Sequence, residues 1–596
     1  MKKQYNTLII GSGCAGYATA ERLFHYGVTD IAVITEGRTM GTSRNTGSDK
    51  QTYYKLSLCG GEGDSVREMA STLYSGGGVM GEHALCEAAY STRCFMHLVE
   101  LGVPFPTNEY GEYAGYKTDH DPRSRATSVG PLTSKYMTEA LERAVLQNGI
   151  EILDGWRVAE ILTENGAVTG VACIFSKTGE IAVIGAQNVV LCTGGPAAVY
   201  ENRVYPESQH GGTGLAIAAG AQLSNMEEWQ YGIASTAFRW NLSGTYQQVL
   251  PRYISVDAAG TEREFLYDAL GEASLGLIFL KGYQWPFDTR KLAGSSRVDL
   301  LVAAERKQGR RVYLDFTKNP KGLENGFAVL PPEAYQYLER SGALFGTPIE
   351  RLAKMNLGAI ELYRANGIDL ESEPLEIAVC AQHCNGGVAV DAHWESNIKG
   401  LFAAGESAGT FGVYRPGGSA LNATQVGALR VAEHIAEQAL RPTSLPQWQL
   451  PVIRYGESNV AALLAEFSHE MSLVADFDRS TVGMRVLFER VSALCSRFFE
   501  EAVIADKSEL AALFKLYDML LTQRAMLSAM LCSADALGSH GAALVDGMPN
   551  ENGEAVRTTR TLTEGASSYM AAVSPMPTPE LWFETLLARK RGNARE

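Results

Sequence analysis

The chain has 596 residues, a formal net charge of −15 and a composition that is 45% hydrophobic and 20% charged. This length exceeds what one hydrophobic core supports and predicts about three or four domains of roughly 100 to 200 residues each. The negative charge and the lack of long Lys/Arg runs disfavour a nucleic-acid or anionic-membrane surface, and no uncharged apolar run reaches the ~18 residues of a membrane-spanning helix.

The ten cysteines are spread along the chain and favour reduced thiols over a disulfide framework. Cys380 and Cys384 are close together, but no second pair completes a four-ligand zinc site, so we predict no metal. The N-terminal apolar run ends at Gly11 and is shorter than the about seven residues that a signal peptide core needs. We therefore predict a cytoplasmic protein without direct membrane insertion.

The N-terminus follows the pattern of strand, tight turn, helix and second strand. Residues 5–10 predict a buried parallel strand, and the turn that follows reads Gly-Ser-Gly-Cys-Ala-Gly. The first glycine makes the turn, the second lets backbone N–H groups approach a pyrophosphate, and the third lets the helix pack on the strand. The second strand, 31–36, ends in Glu36, whose carboxylate can accept hydrogen bonds from ribose hydroxyls. This fingerprint predicts a dinucleotide but does not separate FAD from NAD.

Two later strand ends distinguish these dinucleotides. One apolar strand ends in Thr193-Gly194-Gly195, and another ends in Gly405-Glu406 before a helix expected from about Ala420 to Glu437. The glycines admit close backbone approach, Glu406 can accept a ribitol or ribose hydroxyl, and the helix N-terminus can face the electron-rich O2/N1 edge of a flavin. Together these features favour FAD.

These segments resemble the flavoprotein family of fumarate reductase, succinate dehydrogenase, L-aspartate oxidase and adenylylsulfate reductase. The motifs that carry the resemblance are the N-terminal GSGCAG, His383-Cys-Asn-Gly-Gly387, Gly400-Leu-Phe-Ala-Ala-Gly-Glu406, Arg415-Pro-Gly-Gly-Ser419 and Leu537-Gly-Ser-His540. The resemblance implies an α/β fold with a Rossmann-like two-dinucleotide-binding FAD domain, an inserted α+β capping domain and a C-terminal helical domain. We place the FAD-binding domain at 1–231 and 377–441, the capping domain at 232–376 and the helical domain at 450–596.

The fingerprint and the resemblance together give a predicted set of FAD-binding residues. This set is Gly11, Gly13, Cys14, Ala15, Gly16, Glu36, Gly37, Ser43, Arg44, Asn45, Gly47, Ser48, Asp49, Val158, Thr193, Gly194, Gly195, Gly405, Glu406, Ser419, Ala420 and Leu421. Family members with a covalently attached flavin carry Ser-His-Thr where this chain has Ser43-Arg44-Asn45. Because that histidine is missing, the resemblance implies that FAD is bound non-covalently.

The resemblance also implies a substrate site. His383 and Arg415 match a histidine and an arginine that hold a substrate carboxylate in the fumarate-reducing members, where arginine supplies a permanently charged bidentate clamp and imidazole polarises a carbonyl oxygen. The family's Gln-Phe-His-Pro-Thr segment appears here as Gln-Tyr-Gly-Ile, so Tyr231 becomes the nearest polar ring. The proton-donating arginine of the reducers has no counterpart in register, and Arg252 is the nearest candidate in the predicted cap.

The leading hypothesis is an FAD-dependent oxidoreductase that reduces or forms a C=C bond next to a carbonyl or carboxylate, with hydride transfer at flavin N5. One alternative is an amino-acid or imino-type oxidase or dehydrogenase. Another is a flavin-carrying component that passes electrons to an iron–sulfur or other electron-transfer protein; since this chain carries no cluster motif, the cluster would belong to the partner. The substrate is expected to be a small molecule with a carbonyl or carboxylate group, and its identity stays open.

Overall fold

The computed structural model describes residues 4–61, 63–439, 445–550 and 558–593. The linker predicted at Arg441-Pro442 lies outside these described residues. Within them, no helix is long and apolar enough to cross a membrane. All ten cysteines are free thiols.

The strands and helices are numbered in chain order. The strands are β1 (Gln4–Ile10), β2 (Ile31–Thr35), β3 (Thr52–Tyr54), β4 (Ala126–Ser128), β5 (Glu151–Asp154), β6 (Trp156–Glu164), β7 (Ala167–Phe175), β8 (Ile181–Leu191), β9 (Leu223–Ser224), β10 (Trp229–Ser235), β11 (Trp240–Asn241), β12 (Arg252–Val256), β13 (Glu262–Arg263), β14 (Arg311–Asp315), β15 (Leu375–Cys384), β16 (Gly387–Val388), β17 (Leu401–Ala403), β18 (Arg454–Tyr455), β19 (Asp478–Arg479), β20 (Val503–Ile504), β21 (Leu544–Val545), β22 (Thr559–Glu564) and β23 (Ser567–Ala572). The α-helices are α1 (Cys14–His25), α2 (Thr42–Asn45), α3 (Val66–Ser75), α4 (Gly81–Glu100), α5 (Thr133–Gln147), α6 (Thr213–Ala218), α7 (Thr245–Gln248), α8 (Phe265–Leu270), α9 (Ala273–Lys281), α10 (Ser296–Lys307), α11 (Pro332–Arg340), α12 (Pro348–Ala365), α13 (Ser419–Glu437), α14 (Val460–Val474), α15 (Thr481–Ser496), α16 (Phe498–Glu501), α17 (Leu510–Leu537) and α18 (Phe583–Asn593).

The largest sheet has the strand order β5-β2-β1-β8-β7-β6, with β17 beside β8. Strands β5, β2, β1, β8 and β17 are parallel, and the apolar runs of β1 and β2 are buried because helices cover the sheet. Helix α1 packs on α5 and α13. The predicted strand–turn–helix–strand unit at the N-terminus is therefore confirmed.

Parallel pairing brings the predicted motifs to one edge of this sheet. Ile10 at the end of β1 pairs with both Ile34 and Leu191, and Leu191 pairs with Ala403. The segments that follow these four residues contain Gly11, Glu36, Thr193 and Gly405 in turn. Ligands of open parallel sheets bind at this carboxyl edge. Segments nearly 400 residues apart in the chain, from Gly11 to Gly405, therefore meet at one site.

A second, antiparallel sheet of order β11-β10-β15-β14-β12-β13 lies between the two parts of the FAD-binding region in the sequence. Strands β10 and β15 carry the chain into and out of this unit, and they pair from Trp229 with Cys384 to Ser235 with Ile377. The boundaries predicted at 231/232 and 376/377 fall inside these paired strands. The domain division therefore stays a prediction, while the α+β character of the inserted unit is observed.

The C-terminal part is mainly helical, with α14 and α15 packed on the long helix α17. It is not wholly helical, because the hairpin β22–β23 joins a small sheet in which Leu562 pairs with Ser224. Helix α17 is buried along most of its length and also packs on α6. This part of the chain therefore contacts the FAD-binding region directly.

A buried histidine near the start of α4 predicts acid sensitivity. Burial lowers the pKa of His83 to about 4, and its Nε2 lies 3.0 Å from the carbonyl oxygen of Asp391. An unfolded histidine has a pKa near 6.5, so the stabilising effect of the neutral ring is complete above that pH and is lost as pH falls towards 4. We expect His83→Gln, which cannot titrate, to lose less stability than the wild type between pH 7 and pH 5, by about 2 kcal/mol. Thermal unfolding at both pH values measures this difference, and parallel losses would contradict it.

Candidate active site and cofactor cavity

A cavity of about 1070 Å³ runs along the carboxyl edge of the parallel sheet and beneath the inserted unit. Its walls come from the strand ends, the N-termini of α1 and α13 and several residues of the inserted unit. The predicted cofactor residues that line it are Gly11, Gly13, Cys14, Ala15, Glu36, Gly37, Ser43, Gly47, Ser48, Asp49, Val158, Thr193, Gly194, Gly405, Glu406, Ala420 and Leu421. The structure therefore brings most of the predicted set together.

Two predicted glycines shape the cavity from behind its wall. A Cβ at Gly16 would lie 1.9 Å from the carbonyl oxygen of Gly11, so this glycine lets α1 pack against the turn. A Cβ at Gly195 would lie 2.4 Å from Oε1 of Glu406, so this glycine leaves room for that carboxylate. Both act through residues that do line the cavity.

Three further predicted residues do not line the cavity in this structure, and their contacts with FAD stay predictions. Arg44 points to the surface of α5, where its guanidinium lies 2.7 Å from Glu142. Asn45 donates hydrogen bonds to backbone carbonyls at Thr39 and Gly41. Ser419 is buried in the first turn of α13. The carboxylate and the carbonyl groups hold Arg44 and Asn45 away from the cofactor region.

The fingerprint turn has the geometry that a phosphate site needs. Gly11 has a φ of +112°, and Gly13 is the N-cap of α1. The backbone N–H of Cys14 donates to Ser43 Oγ at 3.0 Å. The first turn of α1 has no acidic residue, so its N–H groups and positive helix end face the cavity without a competing carboxylate. This end of the cavity suits a pyrophosphate.

Glu36, the predicted hydrogen-bond acceptor for the ribose hydroxyls, lines the cavity just beyond the end of β2. Burial alone would raise the pKa of Glu36, but Arg157 at 3.1 Å and Lys515 at 2.9 Å outweigh it, so the pKa is lowered and the group stays ionised. Lys515 belongs to α17. A carboxylate has about four acceptor positions, so Glu36 can bind both cations and still accept from a hydroxyl.

Glu406 is a largely enclosed carboxyl group that lines the cavity, with its side chain 14% exposed. Burial raises its pKa to about 7. Its Oε1 accepts hydrogen bonds from the hydroxyl of Tyr205 and, at 2.8 Å, from the backbone N–H of Cys384. Its Oε2 is the oxygen left to accept a hydrogen bond from a molecule in the cavity.

Arg415 is a buried cation in the same part of the cavity wall as Gln230 and His383, which we call the substrate end. Its side chain is enclosed, the residue being 8% exposed, and its Nη2 donates to Gln230 Oε1 at 2.6 Å. No carboxylate of the described chain lies within salt-bridge distance, and its Nε has no hydrogen-bond partner there. Burial lowers its pKa to about 10, with Glu406 and Glu87 acting on it from farther away. A buried guanidinium that faces a cavity and has no carboxylate partner among the described residues is suited to an anionic ligand.

His383 lies next to Arg415 in the cavity wall. Its Nδ1 lies 3.0 Å from Asn385 Oδ1, and the amide nitrogen of Asn385 donates to the Val413 carbonyl, so Nδ1 carries the hydrogen. Burial, and then Arg415, hold the pKa of His383 well below 6.5. The ring is therefore neutral at physiological pH, and its Nε2, 4.0 Å from Glu406, is a hydrogen-bond acceptor.

Two of the four predicted catalytic residues are placed elsewhere. Tyr231 faces away from the cavity, where its hydroxyl lies 2.9 Å from that of Tyr200 and its ring packs on Phe477. Arg252, on β12, does not line the cavity. Its guanidinium is held by three carboxylates, those of Asp315, Glu262 and Glu264. Neither Tyr231 nor Arg252 lines the cavity in this structure, and their proton-donor roles stay predictions.

Residues that the sequence did not single out complete the substrate end. Gln230 orients Arg415, and Trp285 of the inserted unit lines the cavity near it. Arg290 stacks on the ring of Tyr414, with its guanidinium carbon 3.5 Å from the ring centre. Since Tyr414 precedes Arg415 in the chain, this stacking joins the inserted unit to the segment that carries the buried cation. Sequence spacing gave no signal for these contacts, which connect distant segments.

Comparison with known proteins agrees with this geometry. A family model described as FAD binding domain matches residues 6–421. The class of protein that the fold and cavity define is the FAD-dependent oxidoreductase. More narrowly, the chain belongs to the FAD-binding flavoprotein family of the fumarate reductases and L-aspartate oxidases. The predicted family, fold class and FAD cofactor are confirmed.

Several relatives align over most of the chain. The chain is 27% identical to a fumarate reductase (CoM/CoB) component of Methanothermobacter marburgensis, covering 90% of this chain and 93% of that one. It is 26% identical to an L-aspartate oxidase of Streptomyces coelicolor, covering 72% and 68%. Among solved structures, quinol–fumarate reductase with menaquinol molecules has a TM-score of 0.72 at 20% identity, covering 98% of this chain and 100% of that one. Mycobacterium smegmatis Sdh1 has a TM-score of 0.73 at 18% identity, covering 100% and 98%. The two structural likenesses concern the fold.

Proposed function

We propose that this protein transfers a hydride equivalent between FAD and the C=C bond of a small acid or ketone, with the carboxylate or carbonyl group held by Arg415. The observation that carries this proposal is the buried guanidinium of Arg415, which faces the cavity and has no carboxylate partner in the described chain. Taking a cation out of water is costly unless an anion or several dipoles compensate it. A substrate carboxylate would supply that compensation.

The groups around Arg415 suit an activated alkene. Gln230 Oε1 accepts from Nη2 at 2.6 Å and so fixes the plane of the guanidinium. The remaining N–H groups can hold the substrate oxygens and stabilise the negative charge that develops on them as a hydride adds to the β carbon. Neutral His383 can accept a hydrogen bond at Nε2 and closes the same side of the cavity.

When bound, FAD would supply the two-electron chemistry: in the reducing direction it would provide the hydride for the β carbon, while the α carbon would take up a proton. The chain's own contribution is to orient the substrate and to exclude water. Arg415 and His383 are almost fully buried, so water has little access to their side of the cavity. Charge interactions are stronger in such an enclosed site.

The proposal is tested by anaerobic photoreduction of the purified holoprotein, followed by addition of α,β-unsaturated acids, α,β-unsaturated ketones and imino acids. We expect an unsaturated acid or ketone to reoxidise the flavin and to yield one saturated product per flavin. Reoxidation by imino acids alone, or peroxide formation with an amino acid under air, would replace this proposal by the oxidase alternative that the L-aspartate oxidase relatives suggest.

We also propose that FAD is held without a covalent bond. The position where covalent relatives carry the attaching histidine is Arg44, whose guanidinium is bound to Glu142 and Glu139 on α5. We expect acid precipitation of the holoprotein to release all the flavin into the supernatant and the protein mass to equal that of the bare chain. A flavin that stays with the precipitate, or a mass increased by one FAD, would contradict this prediction.

We further propose an iron–sulfur or other electron-transfer protein as the partner that reloads the flavin. A relative from Mycobacterium tuberculosis is named fumarate reductase flavoprotein subunit, which supports a role within a larger assembly. Co-purification from the native cell tests this proposal: an iron-containing protein that reduces the flavin is expected. A chain that purifies alone and is reduced at full rate by a soluble nicotinamide would contradict it.

A further inference from the structure

The cavity wall beside Arg415 is built by one face of β10. Gln230 faces the cavity and binds Arg415, Tyr231 faces the opposite side, and Gly232 returns to the cavity side without a side chain. Trp285 fills that space, since a Cβ at Gly232 would lie 2.6 Å from both Cε2 and Cζ2 of the indole. The indole is therefore one strand repeat, about 7 Å, along β10 from Gln230.

Trp285 is held in a fixed position. Its Nε1–H donates to the carbonyl oxygen of Ile233 at 2.9 Å. Its own carbonyl accepts from Nζ of Lys281 at 2.6 Å, and Lys281 forms a fully buried ion pair with Asp299 at 2.7 Å. Because the only polar atom of the indole is already bonded, the surface that Trp285 presents to the cavity is apolar.

Neighbouring residues of the inserted unit extend this apolar wall. The rings of Tyr283 and Tyr337 also line the cavity. Their hydroxyls are engaged, Tyr283 with Glu333 at 2.5 Å and Tyr337 with Gln248 at 2.8 Å. Glu333 also lines the cavity, but it is exposed, so its carboxylate opposes a second negative charge on the ligand only weakly.

We propose that the substrate carries one anionic group, bound by Arg415, and a flat apolar group, such as an aryl ring, that packs on Trp285. This inference rests on the proposed function. The substrate class is that of the 3-arylacrylates, monocarboxylates with an aryl ring on the β carbon. An aryl ring joined to a carboxylate through one C=C bond spans a distance of the same order as the about 7 Å strand repeat. A four-carbon dicarboxylate would instead place its second carboxylate against the indole, whose only polar atom is already hydrogen-bonded to the carbonyl oxygen of Ile233.

Binding to the oxidised holoprotein tests this substrate class independently of turnover. The holoprotein is titrated with 3-phenylpropanoate and, separately, with succinate, and the change in flavin absorbance measures binding. We expect the aryl acid to bind at least about tenfold more tightly, and Trp285→Ala to remove that preference. Trp285→Phe should keep most of the preference for the aryl acid. Trp582→Ala removes an exposed tryptophan that does not line the cavity, so this variant should leave the preference unchanged.

The same samples, photoreduced, are then mixed with (E)-3-phenylacrylate and with fumarate. Tight binding of the aryl acid without reoxidation would contradict the proposed C=C chemistry and leave the substrate class standing. Tighter binding of succinate, or an unchanged preference in Trp285→Ala, would overturn the substrate class. If Trp285→Ala purifies without FAD, the comparison of Trp285→Phe with Trp285→Leu decides: the preference should survive only in the aromatic variant.

Discussion

Replacement of Arg415 by alanine is expected to lower kcat/KM at least about thirtyfold while FAD stays bound, because loss of a buried charged contact to a ligand costs about 2–5 kcal/mol. The variant should fold, since no carboxylate of the described residues loses a salt-bridge partner when Arg415 is removed. Arg415→Lys keeps the charge but not the planar fork, so only a small part of the activity should return. Steady-state kinetics with the substrate found in the reoxidation screen measures the effect.

Arg311→Ala is the matched control for this prediction. Arg311 is an arginine on β14 whose side chain is 67% exposed and ion-paired with Glu376, outside the cavity. Its removal should leave kcat/KM unchanged. If Arg415→Ala retained wild-type kcat/KM, the anion-holding role of the buried guanidinium would be wrong.

Replacement of Gly11 by alanine is expected to yield protein without FAD. A Cβ at Gly11 would lie 2.4 Å from the carbonyl oxygen of Cys192, and its φ of +112° strains any other residue. The turn would have to move, and with it the N–H groups that face the pyrophosphate. We estimate a loss of about 3 kcal/mol or more, which is above a hundredfold in the Kd for FAD. The ratio of flavin to protein absorbance after purification measures it.

Gly27→Ala separates this steric effect from backbone strain. Gly27 has a φ of +86°, but a Cβ there would meet no atom within 4 Å. Alanine at this position should cost about 1 kcal/mol of stability and leave the FAD content intact. Equal loss of FAD in both variants would show that left-handed backbone strain, rather than the contact with Cys192, controls binding.

The cofactor side of the cavity was predictable because its signals are local. A strand that ends in glycine, as at Gly11, Thr193-Gly194 and Gly405, already fixes where the backbone turns and which groups face the ligand. Parallel pairing then places those ends together without further information. Even the indirect role of Gly16 followed, since helix–strand packing is part of the same local pattern.

The substrate side depends on contacts that spacing does not encode. Tyr231 and Gly232 are neighbours in β10, so one lies on each face, and which face is occupied depends on packing with Tyr200, Phe477 and Trp285. At the position of the family's histidine this chain has Gly232, which is covered by the indole of Trp285, and Tyr231 does not take the place of that histidine. Sequence order alone could not reveal that exchange.

The position of Arg252 away from the cavity has a related reason. Its carboxylate partners come from β13, from β14 and from the residue before α8, which meet only when the second sheet forms. Arg415 carries the same side chain, yet its surroundings in the described chain supply an amide instead of a carboxylate. The difference between a structural and a ligand-binding arginine lies in these long-range neighbours.

The most direct test of the central claim is an experimental structure of the oxidised holoprotein with an unreactive carboxylate ligand, 3-phenylpropanoate, bound. The account predicts that the carboxylate contacts the guanidinium of Arg415, that the carbon chain lies against the flavin, and that the ring packs on Trp285. A carboxylate bound elsewhere, with Arg415 paired to a group of the protein itself, would contradict it.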